Sequence, residues 1–434
     1  MVDDAGFVRS SGHTVWWGDS GRRVEEFPAG DRGYQVLRTE LDRVLLDLAR
    51  VKGAEVRGDT TVNAVEREGD IYRLRYTSGG RPADVSARWV LDCSGRSGVV
   101  ARRGFRRQEE GPRTLALVGV WRSEDGWDVP DATHTLIESY EDGWAWSVPV
   151  DDHVRYFALM VDPHVTGLER NKEIGSIYRS EVAKTDRFAA LLENQELQEE
   201  PWACNASMYS ADRFSDDHTL LVGDAASFLD PVSSFGVKKA LTSGWRAAVV
   251  THTCLKSPEM ESASLDFYEG RERRLYDSYG QQSAEVFRVA GQGHDHMFWT
   301  ARAAMDDRYD EPDQDGELDI ERLRRDPDVL TAFDRLRRTE SIDLRAGPSL
   351  AVIERPTIIG HEVVMDERLS TPSIPGGVRY LRGVDLKRVL TLAPDHVQVP
   401  ELFEAYCRTE EPVILPDFMG ALSVMISHGI LEDH

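Results

Sequence analysis

The segment 219–236 most constrains how this chain can fold. Thr219–Val222 is a short apolar run typical of a buried strand, and it leads directly into Gly223 and Asp224. A Phe-x-x-Pro-x-x-Ser-x-Gly pattern follows, and it predicts a helix that begins near Gly236. These residues therefore predict a strand, a tight turn and a helix, with the turn at the end of a sheet strand.

This turn is suited to bind a ligand that carries hydroxyl groups. A glycine at the end of a strand lets the backbone approach a ligand closely, and a carboxylate beside it can accept hydrogen bonds from ribose or ribityl hydroxyls. The start of the helix offers unpaired N–H groups and a partial positive charge, which would stabilise negative charge on a reduced flavin. On pattern alone, an ordinary strand–turn–helix with Pro and Gly for geometry remains the alternative.

Three segments, in this order along the chain, carry a resemblance to a known family. Gly33–Asp42 resembles the Gln-Val-x-Arg-x-x-(Phe/Leu)-Asp segment of flavin-dependent halogenases, and Leu91–Gly98 resembles their Asp-Ala-Ser-Gly loop. Leu221–Gly236 is similar to the second flavin-binding motif of FAD-dependent monooxygenases and, in its spacing, to that of the halogenases. The resemblance covers about residues 6–280. It implies FAD as the cofactor, bound by Gln35, Arg38, Asp92, Gly95, Gly223, Asp224, Pro231, Ser234 and Gly236.

A pair of tryptophans extends this resemblance. Gly143–Pro149 resembles the Trp-x-Trp-x-Ile-Pro motif of the halogenases, with Val148 where isoleucine is usual. Because alternate residues of a strand share one face, the rings of Trp144 and Trp146 should lie on the same side. The resemblance implies that they and Pro149 line a tunnel between flavin and substrate. A core strand with two large side chains is the alternative.

The chain departs from the family at its N-terminal end. No Gly-x-Gly-x-x-Gly occurs in the 434 residues, so the opening βαβ unit that would bind the FAD pyrophosphate is missing. We expect an N-terminally truncated fold. We attribute it to a start codon recorded too late, in preference to a piece supplied by another chain or to a loss of FAD binding.

The second departure concerns a lysine that halogenases use to deliver hypohalous acid. The matching segment here offers Arg9, Ser10, Ser11 and His13 but no lysine. Arginine does not give up its proton to act as a nucleophile, so the missing lysine argues against halogenation, while the C4a-hydroperoxide chemistry that the flavin itself carries is less affected. The pair Lys238–Lys239 would substitute only if one of them faced the tunnel, and we expect both on a solvated helix face.

Composition excludes several classes of protein. The formal net charge of −24 argues against nucleic acid or an anionic membrane as a partner. Four widely spaced cysteines, an acidic start without signal-peptide features and the lack of a bilayer-length apolar run predict a cytoplasmic protein. His294-Asp295-His296 lacks an evident third ligand, so we expect no metal.

The expected fold class is mixed α/β, of the FAD/NAD(P)-binding monooxygenase type. Residues 1–105 and 200–285 would form a discontinuous FAD-binding region, and 106–199 an inserted β-sheet region for the substrate. Residues 286–345 would form a helical, acidic connector, and 346–434 a helical C-terminal part. Those last helices suggest a small winged-helix-like unit, but their acidic surroundings favour packing or partner contact over DNA binding.

The resemblance implies an FAD-dependent oxidoreductase of specialised metabolism. It would hydroxylate or halogenate an electron-rich, aromatic small molecule through a flavin C4a-hydroperoxide. Its partners would be that substrate, a separate flavin reductase or NAD(P)H as electron source, and chloride if it halogenates. No catalytic side chain is named by the pattern. Two alternatives stay open: a flavoprotein reductase or dehydrogenase of the geranylgeranyl-reductase type, and a non-catalytic remnant that no longer binds FAD.

Overall fold

The predicted mixed α/β fold is confirmed by the computed structural model. It describes residues 2–28, 30, 32–107, 111–166, 168, 172–309, 323, 325–409 and 412–434. The helices that it describes are α1 (Arg38–Val51), α2 (Ile174–Val182), α3 (Arg187–Leu192), α4 (Gly236–Lys256), α5 (Glu261–Gly291), α6 (Met297–Ala303), α7 (Pro327–Arg338), α8 (Leu386–Leu392), α9 (Val399–Thr409) and α10 (Leu415–Ser427).

The strands are short apart from two hairpins and one large sheet. In chain order, the described strands are β1 (Val8–Ser10), β2 (Gly12–Trp16), β3 (Arg22–Glu26), β4 (Gly33–Gln35), β5 (Thr60–Glu68), β6 (Ile71–Ser78), β7 (Arg81–Ala87), β8 (Val90–Asp92), β9 (Arg106–Arg107), β10 (Leu115–Arg122), β11 (Thr135–Tyr140), β12 (Gly143–Pro149), β13 (Val154–Val161), β14 (Glu196–Leu197), β15 (Trp202–Asn205), β16 (Tyr209–Ala211), β17 (Ser215–Asp216), β18 (Thr219–Leu221), β19 (Ser227–Phe228), β20 (Leu344–Ala346), β21 (Ala351–Ile359), β22 (Glu362–Thr371), β23 (Ile374–Val378), β24 (Tyr380–Leu381), β25 (Val384–Asp385) and β26 (Leu431–Asp433).

The largest sheet has the strand order β14-β10-β13-β12-β11-β2-β3, with β15 also paired to β10. Neighbouring strands are antiparallel except β11 and β2, which run parallel. Residues 106–199 supply β10–β14, while β2, β3 and β15 come from outside that range. The sheet therefore joins the expected substrate region to segments that we expected near the cofactor.

The two faces of this sheet bury different partners, because side chains alternate along each strand. On one face, Phe157 packs against Phe188 of α3 at a ring distance of 5.2 Å, and Tyr178 of α2 lies beside them. The opposite face carries Trp144 and packs against α5 and α6. Its apolar cluster includes Ala116, Ala158, Met160, Phe287, Phe298 and Trp299.

A three-stranded sheet contains the strand that the sequence predicted before Gly223. Its order is β17-β18-β8, and β18 runs parallel to β8 with Leu221 opposite Asp92. Parallel neighbours end at the same edge of a sheet, so the loops after β8 and β18 lie side by side. The predicted helix after the turn is confirmed as α4, which begins at Gly236.

The chain separates into two compact units. The first comprises Met1–Ala247 and Leu275–Tyr309, and the second comprises Ala248–Arg274 and 310–434. The second unit has its own core, built around buried side chains such as Leu402, Phe418 and Leu422. The four-part domain division stays a prediction.

The C-terminal region is only partly helical. Helices α8, α9 and α10 lie close to where the sequence indicated helices, but the region also contains the long hairpin of β21 and β22. Within the expected connector, 286–345, residues 310–322 and 324 lie outside the described residues. Among the helices that are described, none combines the length and apolar character needed to cross a bilayer.

Gly119 generates a prediction about the large sheet. A Cβ at this position would lie 2.6 Å from Cζ of the fully buried Tyr178, so Gly119→Ala should lower the free energy of unfolding by about 1–3 kcal/mol. Gly58→Ala is the control, since no atom lies within 4 Å of its added Cβ. Urea denaturation of both variants measures the difference, and equal midpoints would contradict the packing described here.

Candidate functional site

Two loops meet where β8 and β18 end, and with Asp92 they carry six of the predicted cofactor residues. The first loop, residues 93–98, follows Asp92 and contains Gly95; the second loop, residues 223–235, begins with Gly223 and Asp224. The backbone N–H of Val222 donates to the Asp92 carbonyl at 3.0 Å and ties the two strand ends together. The fold therefore places the motifs around 92–98 and 223–236 in one site, as the resemblance implied.

Asp92 acts inside the first loop. Its buried carboxylate accepts hydrogen bonds from the backbone N–H groups of Ser94, Val100 and Ala101 at 2.7–3.0 Å, and from the Ser94 hydroxyl. Gly95 lies in the left-handed region with φ +61°, which favours glycine. The carboxylate thus fixes the curl of the first loop, and direct contact between Asp92 and a cofactor stays a prediction.

Gly223 is required for a reason that the sequence did not indicate. Its φ is +58°, and an added Cβ would lie 3.2 Å from the Ala240 Cβ on α4. Its N–H donates to the Ser243 hydroxyl at 3.0 Å. The glycine therefore lets the second loop pack closely on helix α4, besides any approach to a ligand.

The Asp224 carboxylate is half-buried and accepts no hydrogen bond from any residue that the structure describes. Burial raises its pKa, and four cations oppose this rise: Lys239, Arg96, Arg38 and Arg106, in decreasing order. A carboxylate in such surroundings retains its acceptor capacity, so it can bind the hydroxyl groups of a ligand.

Arginines and aromatic rings lie beside Asp224, and sequence reasoning missed them. The Arg96 guanidinium lies over the Phe228 ring at 4.2 Å, and that of Arg106 lies over the Tyr209 ring at 4.1 Å. Tyr209 and Phe228 stack at 5.9 Å, and Arg106 donates to the Arg96 carbonyl at 2.7 Å. The only signal in the sequence was the position of Arg96 within the first loop. Together these groups place aromatic rings and positive charge beside Asp224.

Gln35 lies at the end of β4, and Arg38 is the first residue of α1. The Gln35 amide donates to the Thr135 hydroxyl on β11 at 2.8 Å, which anchors it to the large sheet. Arg38 is exposed and forms an ion pair with Asp42 at 3.2 Å, yet it is close enough to Asp224 to lower the pKa of that carboxyl. Gln35 is neutral, so of these two residues only Arg38 affects the pKa of Asp224.

The last residues of the second loop lead directly into the first turn of α4. Pro231 begins a short 3₁₀ turn, and Ser234 adopts the left-handed conformation with φ +52°. Gly236, the first residue of α4, is exposed, and an added Cβ would meet no atom within 4 Å. The helix start is therefore open, as a ligand at its N-terminus would need.

Trp144 and Trp146 lie on the same face of β12, as their spacing predicted. Trp144 is 2% exposed and contacts Trp17 edge-to-face at 6.1 Å. Its indole N–H has no acceptor among the described residues. Both rings belong to the apolar cluster that includes Phe228 and Val232 of the second loop. This places the tryptophans beside that loop, and Pro149 at the end of β12; the tunnel itself stays a prediction.

Asp230 is a titratable group that the sequence did not single out. Its carboxylate is buried and accepts the N–H of Val232 at 3.0 Å, and burial raises its pKa to about 6 against the lowering effect of Arg302. Beside it lies a cavity of about 20 Å³, lined also by Thr114 and Ser207. That volume holds about one water molecule. Asp230 can therefore exchange a proton near neutral pH.

Arg302 keeps this buried region electrically balanced. It lies 3.4 Å from the Asp162 carboxylate and donates to the Thr114 hydroxyl at 3.0 Å. Its guanidinium also lies 3.8 Å from the centre of the Phe298 ring. Burial lowers the pKa of Arg302, and the charges of Asp230 and Asp162 oppose this.

The two lysines at the start of α4 differ in their surroundings. The prediction that both lie on a solvated face was wrong for Lys239, which is fully buried and donates to the carbonyls of Gly223 and Ser227. Lys238 is exposed, with its ammonium 5.1 Å from the Phe235 ring. The turn of the second loop buries the carbonyl groups of Gly223 and Ser227, which then need hydrogen-bond donors. The sequence pattern did not indicate this burial.

The segment that carries a lysine in halogenases presents no ammonium group here. Ser10 is buried and donates to the Gly12 carbonyl at 3.2 Å, whereas Arg9 stacks on Tyr34 at 4.1 Å and pairs with Asp3. Across the described residues, no three His, Cys, Asp or Glu side chains converge to hold a metal ion.

The residues around Asp224 present polar and aromatic groups of the kind that a flavin would need. Besides Asp224, the buried Ser227 hydroxyl and the Arg106 Nε lack partners among the described residues. Unpaired polar atoms on a loop beside an open helix start fit a hydroxyl-bearing, negatively charged ligand. The stacked rings of Tyr209 and Phe228, with their guanidinium neighbours, fit a planar heterocycle.

Comparison with known proteins agrees with this geometry. The family model described as "FAD binding domain" matches residues 8–269. The flavin-dependent halogenase rdc2 of Metacordyceps chlamydosporia is 26% identical over 52% of this chain and 49% of its own. The tryptophan 2-halogenase of Chondromyces crocatus is 23% identical over 69% of this chain and 59% of its own. The chain thus spans about half the length of the curated relatives it matches.

Solved structures show the same fold. The flavin-dependent halogenase CmlS superimposes with a TM-score of 0.76 and 22% identity, covering 100% of this chain and 85% of its own. The peptidyl tryptophan dihydroxylase QhpG gives a TM-score of 0.61 and 21% identity, covering 96% of this chain and 84% of its own.

Asp230 generates a prediction about stability and pH. Its folded-state pKa of about 6 lies above the ordinary 3.8, so the stability from its protonated form is present below pH 4 and is lost as pH rises through 6. Relative to Asp230→Asn, the wild type should lose up to about 3 kcal/mol of unfolding free energy between pH 4 and 7.5. Urea denaturation at several pH values measures this.

Asp70→Asn, at an exposed turn, should keep the wild-type profile; an Asp230→Asn profile parallel to that of the wild type would refute the raised pKa.

Proposed function

This chain belongs to the FAD binding domain family, and on that premise we propose that it is an FAD-dependent oxidoreductase that hydroxylates an electron-rich aromatic small molecule. The observation that carries the proposal is the half-buried Asp224 carboxylate, which accepts no hydrogen bond from any described residue and lies among four cations beside the open start of α4. When bound, FAD would supply the redox chemistry with dioxygen.

The residues of the two loops would bind and orient the cofactor. Asp224 would accept hydrogen bonds from ribityl hydroxyls, and the N–H groups at the start of α4 would face negative charge. The guanidinium groups of Arg96 and Arg106 would add positive charge next to the rings of Phe228 and Tyr209. These groups need little rearrangement, because Asp92 and Gly223 already fix both loops.

The tryptophan face would exclude water from the reacting groups. Trp144 and Trp146 share an apolar cluster with Phe228 and Val232, so large side chains cover the side of the second loop that faces the sheet. A dry site strengthens each electrostatic contact inside it and protects reactive species from water. An aromatic substrate would find complementary surface there.

Asp230 would hold the proton that the oxidation of a phenol or indole must exchange. It directly precedes Pro231, and its pKa of about 6 allows it to be partly protonated near neutral pH. One water in the adjacent cavity would connect its carboxylate with the hydroxyls of Thr114 and Ser207.

Hydroxylation is favoured over halogenation because the segment that carries the lysine in halogenases has none in this sequence. Ser10 lies buried in the segment where the halogenases carry one, and Lys239 is enclosed by backbone carbonyls. Reducing equivalents would come from NAD(P)H or a separate flavin reductase, and chloride would be a partner only if the protein halogenates. No two of the four cysteines are bonded, which supports the expected cytoplasmic location.

FAD binding tests the cofactor assignment directly. Titration of the purified protein with FAD should give a flavin absorption band, and Asp224→Asn should weaken the affinity about tenfold or more, because hydrogen bonds to a charged group are lost. Asp216→Asn, on the half-exposed strand β17, is the matched control and should bind as the wild type does. A protein that binds no flavin would instead be the non-catalytic remnant.

Product mass tests the reaction. With FAD, a flavin reductase, NADH, dioxygen and chloride, phenol and indole substrates should gain one oxygen atom and no chlorine. Omitting chloride should leave the yield unchanged. A chlorinated product would show halogenation instead, and reduction of an apolar alkene would favour the geranylgeranyl-reductase alternative.

A further inference from the structure

Lys239 is a buried charge in the first unit to which the proposed function gives no role. It lies one turn inside α4, its side chain is fully buried, and its backbone N–H donates to the Phe235 carbonyl at 2.8 Å. Its ammonium donates to the Gly223 carbonyl at 2.8 Å and to the Ser227 carbonyl at 2.5 Å. These acceptors lie at the two ends of the tight turn in the second loop.

Burying an ammonium is costly, so its position demands a compensating interaction. Removing a charge from water costs several kcal/mol unless nearby dipoles or charges replace the water. Here the carbonyl dipoles of Gly223 and Ser227 replace it. Conversely, these two carbonyls point into the protein interior and need donors. The lysine and the turn 223–227 therefore depend on each other for their conformation.

The same ammonium lies close to Asp224, the carboxylate of the site. Every element packed around that carboxylate brings charged or titratable groups: α1 brings Arg38, the first loop Arg96, β9 Arg106 and β16 Tyr209. Arg38 is largely exposed, and Arg96 and Arg106 are partly so. Water screens exposed charges more than buried ones. Lys239 is therefore the cation whose effect on Asp224 is screened least, and it opposes the rise in the pKa of that carboxyl more than any other group.

We propose that Lys239 is a positioning residue for the cofactor: its ammonium fixes the turn 223–227 and places a buried positive charge beside Asp224, so that the carboxylate accepts hydrogen bonds from the ribityl hydroxyls of FAD. This inference rests on the proposed function. It assigns no chemistry to the lysine itself, because backbone carbonyls enclose its ammonium.

The neighbouring lysine provides a matched control. Lys239→Met removes the charge and both donors, while Lys238→Met removes an exposed charge from the adjacent position. FAD titration at pH 8 should show that Lys239→Met weakens binding tenfold or more, whereas Lys238→Met binds within about twofold of the wild type. Circular dichroism and thermal unfolding without FAD establish that each variant is folded.

The pH dependence of FAD binding separates a positioning role from a purely structural one. Binding should weaken as pH falls through the pKa of Asp224, because the protonated carboxyl is a poorer acceptor. Without Lys239 that pKa is higher, so Lys239→Met should lose affinity at a higher pH than the wild type. Lys238→Met should keep the wild-type midpoint. In an Asp224→Asn background, the Lys239→Met change should leave no such shift.

A second variant covers the case in which Lys239→Met does not fold. Lys239→Gln keeps an amide donor for one carbonyl and removes the charge, so it should show the same shift of the pH midpoint with a smaller loss of affinity. If a folded Lys239 variant binds FAD with the wild-type affinity and midpoint, Lys239 does not position the cofactor. If the wild type itself binds no FAD, the proposed function and this inference fail together, and these two outcomes are distinguished in the first titration.

Discussion

The parallel pairing of β8 and β18 is the constraint on which the candidate site depends. Leu221 lies opposite Asp92, so both strands end at one edge and release their loops side by side. Neither loop is stable in this form by itself: the first is curled around the Asp92 carboxylate, and the second is pinned to α4 through Gly223. A change in register would move Asp224 away from Arg96 and dismantle the site.

Buried polar contacts give the site its preorganisation. Asp92 accepts hydrogen bonds from backbone N–H groups, and Lys239 and Arg106 donate to backbone carbonyls, so each turn is held by a charged side chain rather than by a ladder of strands. Charge-assisted hydrogen bonds in a region shielded from water are strong and are costly to break. Because these contacts already fix both loops, the Asp224 carboxylate needs no hydrogen bond from a described residue to hold the site together. Its oxygens can therefore accept hydrogen bonds from a ligand.

The part of the fold and site that sequence could predict follows from local patterns. The apolar run before Gly223 predicted β18, and the Phe-x-x-Pro-x-x-Ser-x-Gly pattern predicted the start of α4. The period-two spacing of Trp144 and Trp146 predicted their common face. Strand alternation and helical periodicity depend on residues that are close in the chain, so these features can be predicted from the sequence. The burial of Lys239 was not, because it depends on carbonyls that only the folded turn brings together.

The sequence by itself therefore determined the α/β class, the order of the motifs and the kind of chemistry that their residues can support. The tertiary structure decided which groups meet. It placed Arg106 and Tyr209 beside Asp224, buried Asp230 next to a water-sized cavity and joined β2 and β3 to the large sheet. The physical reason is the range of the interactions: propensity and periodicity act over a few residues, whereas burial, charge proximity and strand pairing depend on segments that are distant in the chain and meet only in the folded protein.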